Sequence, residues 1–527
     1  MSTPTLTPTG PVGPTGPTGP ADRSEQPPHR QHRAGPVLAL ARFEARELLF
    51  QVPVLVFFLV LIAYTVVRIV TLDGMDDFPV LHTTDREGQG AAFLPAIALL
   101  VCTNAAALRA RRHHTLQQFD VLAMEPWRRT LAHALSAVPY GALTALVVGV
   151  GYGWEAVKPG AIGHGSFGEL ATGPLTVLLA GVTGVLLARL VPTPFAPILF
   201  VIGFYVLVLA VTSATHADSD RVGWLSPIRL STDGGGDPVP SDLLGRPAGW
   251  HALYVLGLCA LVTCAALLRA GGTRVRSVQA ATALALAVTV TGAVGQFPRG
   301  TDALETARTT ASRTPEKVQS CTDLRGSRYC SFPEWNGTRD AWAEVVDRLR
   351  TAAGGSAAHA PLTVRQRIDA TGGVEADAAL PSSTVPGVVT VGTRWGGTRV
   401  PEFAVGAATV LVAGTEDEAA MTMCDVRPAT IMWLVLSTDR DPLNTFGTVR
   451  LDDSVTGSGL VLTPTDGLSL SAEQTALVRA LLDRPRAETT RQVKALWSAL
   501  TSARTPVTEA AALLGVTLPK GVEPCEK

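Results

Sequence analysis

A chain of 527 residues that is 46% hydrophobic and only 17% charged is too apolar on average for an ordinary soluble enzyme, and its mean hydropathy of +0.25 directs attention to membrane segments. The formal net charge of -1 supplies no overall attraction to a polyanion, so nucleic acid is not expected as a partner and the useful information lies in how charge is distributed. Lys occurs only at Lys158, Lys317, Lys494, Lys520 and Lys527 against many Arg, which with abundant Ala, Gly and Val reads as a bacterial base-composition bias.

Residues 1–36 are rich in Pro, Thr and Gly and contain Gly-Pro pairs beginning at Gly10, Gly13, Gly16 and Gly19. These collagen-like triplets are too few for a triple helix, and the segment has little to bury, so a disordered tail is expected. Its polar lead does not have the charged, apolar and small-residue succession of a secretory leader. Over 37–50 the run LARFEARELLF sets Arg42, Glu44, Arg46 and Glu47 among apolar residues, the pattern of an amphipathic helix lying at a membrane interface, and Pro53 marks a bend after it.

Seven apolar segments follow, at 52–72, 91–108, 131–152, 174–190, 195–211, 250–268 and 278–294. Each is near the roughly 20 residues that cross a hydrocarbon core, and because backbone groups in lipid must pair within the segment, each is expected to be a helix. The connection after the second carries Arg109, Arg111, Arg112, Arg128 and Arg129 against Asp120 and Glu125, and that after the sixth carries Arg269, Arg274 and Arg276. The connections after the first and fifth are acidic instead, with Asp73, Asp76, Asp77, Asp85 and Glu87 in one and Asp218, Asp220, Asp233, Asp237 and Asp242 in the other. The positive-inside rule then places the N-terminus in the cytoplasm and everything after the seventh span outside.

The expected fold class is therefore an α-helical polytopic membrane domain of about seven transmembrane helices over 37–296, followed by an extracytoplasmic α+β domain over 297–527. In that domain helices are expected at 340–353, 471–482 and 488–500, and strands at 387–393 and 407–412. Of the seven cysteines, Cys102, Cys259 and Cys264 sit in apolar runs, whereas Cys321, Cys330, Cys424 and Cys525 fall in the domain assigned to the oxidising side. Four cysteines allow three pairings. The one that closes a short local loop joins Cys321 to Cys330 and leaves Cys424 with Cys525.

The basic connection RARRHHTLQQFDVLAMEPWRRT, running into LAHALSAVPYGALTAL, carries the functional reading. It resembles the segment between the second and third helices of type-2 ABC transporter permeases, at Arg112, Thr115, Leu116, Phe119, Leu122, Pro126, Arg128 and Arg129, and departs from it at His114 and Gln117. The preceding interfacial helix, the six spans and the long loop between the fifth and sixth are similar to that family over about 37–268. The resemblance implies a permease subunit of an exporter that works with a separate ABC ATPase subunit and with a second permease subunit, identical or not. The physical rationale is that Leu116, Phe119, Val121, Leu122 and Met124 give a short helix an apolar face able to enter a groove on the ATPase.

No G-x-x-x-x-G-K-[ST] sequence occurs, so ATP would be used through the other subunit and no cofactor is expected on this chain. His359 is the only His after residue 298, which removes a two-His zinc site and any ready Ser-His-Asp set from the last domain, and adjacent His113 and His114 diverge on a helix. An enzyme is accordingly not expected. The competing reading is a membrane-anchored interaction or sensory protein whose helices position an external binding domain and transport nothing.

Overall fold

A computed structural model describes residues 35–71, 78–112, 124–213, 224–227, 237–245, 247–297, 301–371 and 380–519, together with 521, 523 and 525. The tail expected to be disordered lies almost wholly outside them.

The first part is a helical bundle. Helix α1 (Gly35–Leu49) precedes α2 (Val52–Thr71), α3 (Leu81–Ala91), α4 (Phe93–Arg112), α5 (Pro126–Leu135), α6 (Val138–Ala156), α7 (Phe167–Leu190), α8 (Ala196–Ser213), α9 (Ala248–Arg269) and α10 (Arg276–Gly295). Among the described residues, six stretches are long and apolar enough to cross a membrane: Val52–Val70, Leu81–Arg109, Pro126–Ala156, Phe167–Leu190, Ala248–Arg269 and Arg276–Gly295. The chain thus has the make-up of a polytopic membrane protein. The segment expected at 195–211 is α8, whose apolar stretch Ala196–Leu207 is shorter.

Local chemistry accounts for where these helices depart from the expected bounds. The segment expected at 131–152 is two helices, because Pro139 contributes no N–H and the chain turns through Ser136 and Ala137 before α6. Helix α7 begins earlier than 174 because Ser166 caps it, its hydroxyl accepting from Gly168 N at 3.2 Å. The second span is preceded by α3, and Leu81–Arg109 together hold 29 residues. At helical rise they reach about 44 Å, beyond the ~30 Å of a hydrocarbon core.

Packing in the bundle depends on small residues. Helices α4 and α7 run side by side in the same direction, and a Cβ on Gly184 would stand 2.3 Å from Leu100 O and from Thr103 Oγ1. Thr103 Oγ1 donates to Gly181 O at 2.8 Å and Asn104 Nδ2 to Gly184 O at 3.2 Å, so close approach is used for inter-helix hydrogen bonds. Helices α9 and α10 cross antiparallel, with Gly257 against Thr289 and Gly292 against Tyr254.

The C-terminal part is α+β. After α11 (Thr301–Arg313), strands β1 (Ser320–Leu324) and β2 (Ser327–Ser331) form an antiparallel hairpin, and β3 (Thr363–Gln366) and β4 (Val388–Val391) add parallel strands in the order β1-β2-β3-β4. Helix α12 (Arg339–Ala352) crosses from β2 to β3, as the parallel pairing requires, and α13 (Arg399–Ala413) comes after β4. Helices α14 (Arg427–Leu436), α15 (Ala472–Leu482), α16 (Arg486–Ala495) and α17 (Val507–Leu514) complete it, with a small hairpin of β5 (Gly459–Val461) and β6 (Leu468–Leu470). Trp335, Trp342, Phe403 and Trp433 fill the core.

The helices expected at 340–353 and 471–482 are α12 and α15. The second starts at a capping box in which Ser471 and Gln474 exchange side-chain and backbone bonds. The helix expected at 488–500 breaks at Leu496 into α16 and a short turn, Trp497–Leu500. The strand expected at 387–393 is β4, but 407–412 lies within α13. That run is buried on every side between β4, α12 and α14, so it shows no polar face by which helix and strand periods differ. Cys321 bonds to Cys330 and Cys424 to Cys525, the expected pairs.

Candidate coupling face and junction cleft

One end of the bundle gathers the arginines. Arg109, Arg111 and Arg112 close α4, Arg128 and Arg129 open α5, Arg189 ends α7, and Arg269, Arg274 and Arg276 flank the turn between α9 and α10. Of the residues that carry the permease resemblance, Arg112 is exposed at the end of α4 and Pro126 is the first residue of α5, where its missing N–H costs nothing. Arg128 lies 3.2 Å from Glu125 and stacks 5.3 Å from the centroid of the Trp127 ring, whose Nε1 donates to Glu125 at 2.7 Å. Arg129 is half-buried in the same turn. Thr115, Leu116, Phe119 and Leu122 lie outside the described residues, as do His113 and His114.

Helix α1 is fastened beside the two ends of that connection. Val37 and Ala41 pack on Ala132 of α5, and Tyr140 of α6 donates its hydroxyl to Ala45 O at 2.6 Å. Glu44 is 7% exposed, with Arg109 at 3.8 Å and His133 Nδ1 at 3.9 Å, while Glu47 also reaches Arg109 at 3.8 Å. Burial pushes the Glu44 carboxyl above the usual carboxylate range, and the Arg109 guanidinium opposes that shift. The Arg-x-Glu-x-Arg pattern is the basis for expecting α1 at a membrane interface. It does not reveal that Glu44 points inward, because its partners come from α4 and α5.

The opposite end of the bundle meets the C-terminal domain around a cleft of about 620 Å³ lined by His82, Asp85, Arg86, His164, Glu169 and Trp250 among others. Asp85 Oδ2 accepts from Ser166 N at 2.7 Å, which sets a carboxylate at the N-terminus of α7, and Gln89 bonds Glu169 beside it. The two parts share a core there: Val80, Ile162, Val239 and Leu243 pack with the tryptophans of the C-terminal domain. Sequence patterns mark Asp85 only as a loop charge and give no sign of the cleft, since its residues come from four loops and helix starts whose meeting is a tertiary event.

Asn104 is used between α4 and α7, and Gln279 Nε2 donates to Thr273 O at 2.7 Å at an exposed helix start. Among the described residues no group of three or more His, Cys, Asp or Glu is arranged to hold a metal ion. Comparison with protein-family models, with curated proteins and with solved structures finds no match to this chain.

Proposed function

We propose that this chain is the membrane subunit of an ABC-type exporter, driven by a separate ATPase subunit that docks on the connection between α4 and α5. The observation that supports this most is the setting of that connection. The helices it joins, α4 and α5, are in contact at the arginine-rich end of the bundle, flanked by α1, which Glu44, Arg109, Val37 and Tyr140 tie to α4, α5 and α6. A push on the connection would therefore act on α1, α4, α5 and α6 together.

In this reading the arginine-rich end is cytoplasmic, α8 is a seventh span, and the C-terminal domain is extracytoplasmic. The two disulfides support that side. The cargo class that suits a bundle with apolar walls is an apolar or amphipathic compound or peptide, and a second permease subunit would complete the pathway.

The decisive experiment is the double substitution Phe119→Asp with Leu122→Asp. Two charges forced into an apolar groove cost several kcal/mol, so ATPase co-purification and export are expected to be lost at unchanged membrane abundance. Arg128→Ala with Arg129→Ala is the contrast, since it reduces topogenic charge and leaves the apolar face intact. Retained association and export in the Asp pair would leave the connection with a topogenic role alone. The membrane-anchored interaction protein would then be the better reading.

A further inference from the structure

A groove of about 460 Å³ lies in the half of the bundle nearer the arginines, lined among others by Leu131 and Leu135 of α5, Val182 of α7, Leu256 and Leu267 of α9 and Val278 of α10. Leu256 and Val138, which also lines it, are 47% and 46% exposed, so the groove is open rather than sealed. The stretch of α9 from Leu256 to Leu267 is about 16 Å long at helical rise, close to half of the ~30 Å hydrocarbon core and thus to the depth of one leaflet. Its wall offers little to a polar guest. The Thr263 hydroxyl donates to Cys259 O at 2.7 Å and the Cys259 thiol to Leu175 O at 3.5 Å, so both groups are spent on the backbone.

The end of the groove toward the arginines is chemically different. Trp127, in the first turn of α5, belongs to the lining there, and so does Ser277 at the start of α10. Residues three, four or seven positions apart share a helix face, so Arg128 lies on the face of Leu131 and Leu135, and Arg189 on that of Val182, two turns nearer the end of α7. Arg276 directly precedes Ser277 and is exposed. Arg128 has Glu125 at 3.2 Å, whereas among the described residues no carboxylate stands within ion-pair distance of Arg189 or Arg276. Nε of Arg189 is buried without a hydrogen-bond partner, and Arg111 and Arg129 add like charge beside it. Positive charge drawn out of water without an anion is costly, and a phosphate oxygen relieves that cost.

We propose that this groove binds one anionic phospholipid, with an acyl chain along α9 from Leu256 to Leu267 and the phosphate among Arg128, Arg189 and Arg276. The apolar wall takes hydrocarbon, Trp127 sits at headgroup level as interfacial tryptophans do, and the arginines separate an anionic headgroup from a zwitterionic one. A soluble phosphate compound satisfies the arginines alone; a phosphate joined to a hydrocarbon chain satisfies both surfaces. The inference rests on the membrane placement of the bundle and not on the docking of an ATPase.

Native mass spectrometry of the full chain in detergent tests it, with dioleoyl phosphatidylglycerol and dioleoyl phosphatidylcholine titrated in parallel. One phosphatidylglycerol is expected to be retained at about tenfold lower concentration than phosphatidylcholine, the order of preference that one or two arginines near a phosphate supply. Arg189→Gln with Arg276→Gln is expected to abolish the preference. Arg313→Gln with Arg440→Gln removes equal charge from exposed positions of the C-terminal domain and is expected to keep it. Ala260 of α9 and Ala281 of α10 line the groove and are exposed, so Ala260→Phe and Ala281→Phe fill it without crowding a packed core, and each is expected to weaken retention of both lipids. Inorganic phosphate and glycerol phosphate are expected to leave retention unchanged; displacement of the lipid by either would assign the arginines to a free phosphate compound and overturn the proposal. Equal retention of the two lipids by the wild type, a preference that survives loss of Arg189 and Arg276, or full retention in both Phe variants overturns it as well. So does a dimer that retains no lipid, since a second copy would then cover the groove.

Discussion

Gly184 and Gly203 show how differently one residue type is used within this bundle. A methyl on Gly184 would fall 2.3 Å from the Leu100 carbonyl of a rigid neighbouring helix, whereas at Gly203 of α8 nothing lies within 4 Å. Gly184→Ala is therefore expected to destabilise by about 1–3 kcal/mol through overpacking, and to weaken the Thr103 and Asn104 bonds that depend on the close approach. Gly203→Ala is expected to be neutral or to stabilise by roughly 0.5–1 kcal/mol, since it only removes backbone freedom. Thermal unfolding of both variants in one detergent decides the matter, and equal effects would mean that α4 and α7 can separate without loss. The apolar setting of Gly181 and Gly184 in the sequence is enough to suggest helix contact rather than binding. Which carbonyl they meet depends on the register between α4 and α7, which no local pattern encodes.

The elements divide by how much of their surface is covered. Helices α2 and α15 are legible in the sequence because length, apolar run or capping box marks them locally, whereas α13 reads as a strand because its covered faces erase the periodic signal. Helix α1 lies between these cases, legible as amphipathic and silent about Glu44. In the C-terminal domain the two disulfides brace very different loops. Cys321–Cys330 spans 9 positions within a hairpin, while Cys424–Cys525 spans 101 and ties the end of the chain to the segment before α14. On the chain-entropy account, a loop near 100 residues is worth about 4.7 kcal/mol and a short one roughly 2–3 kcal/mol. Replacing Cys424 and Cys525 by Ser is thus expected to lower the unfolding midpoint more than replacing Cys321 and Cys330. Denaturant unfolding of the intact protein compares them, and the reverse order would point to native-state strain rather than chain entropy.

At the scale of the whole molecule the question is which end faces which solvent. The arginine-rich end holds Arg109 to Arg112, Arg128, Arg129, Arg189 and Arg269 to Arg276, while Asp85, Glu155, Glu169, Asp237 and Asp242 belong to the other. With this distribution, Cys introduced at Asp76 is expected to be labelled by an impermeant reagent in intact cells, and Cys at His114 to be spared. Labelling in the opposite sense would invert the orientation, and equal labelling would dispute the number of spans. Either result also bears on the docking proposal, because an ATPase can reach only the cytoplasmic end.

Apolar length, loop charge and cysteine number are properties of composition along the chain, and they are why a multi-helix membrane domain, the α+β character of the C-terminal domain and the two disulfides can be read from residues alone. The bilayer imposes this legibility, since backbone pairing in lipid admits little except helices of a set length. The inward turn of Glu44, the core that Val80, Ile162, Val239 and Leu243 share with the C-terminal domain, and the pairing of His82 with Glu334 are decided only by tertiary structure. Each joins side chains distant in sequence, and the free energy of such contacts depends on which surfaces exclude water together, a quantity that exists only once the chain has folded.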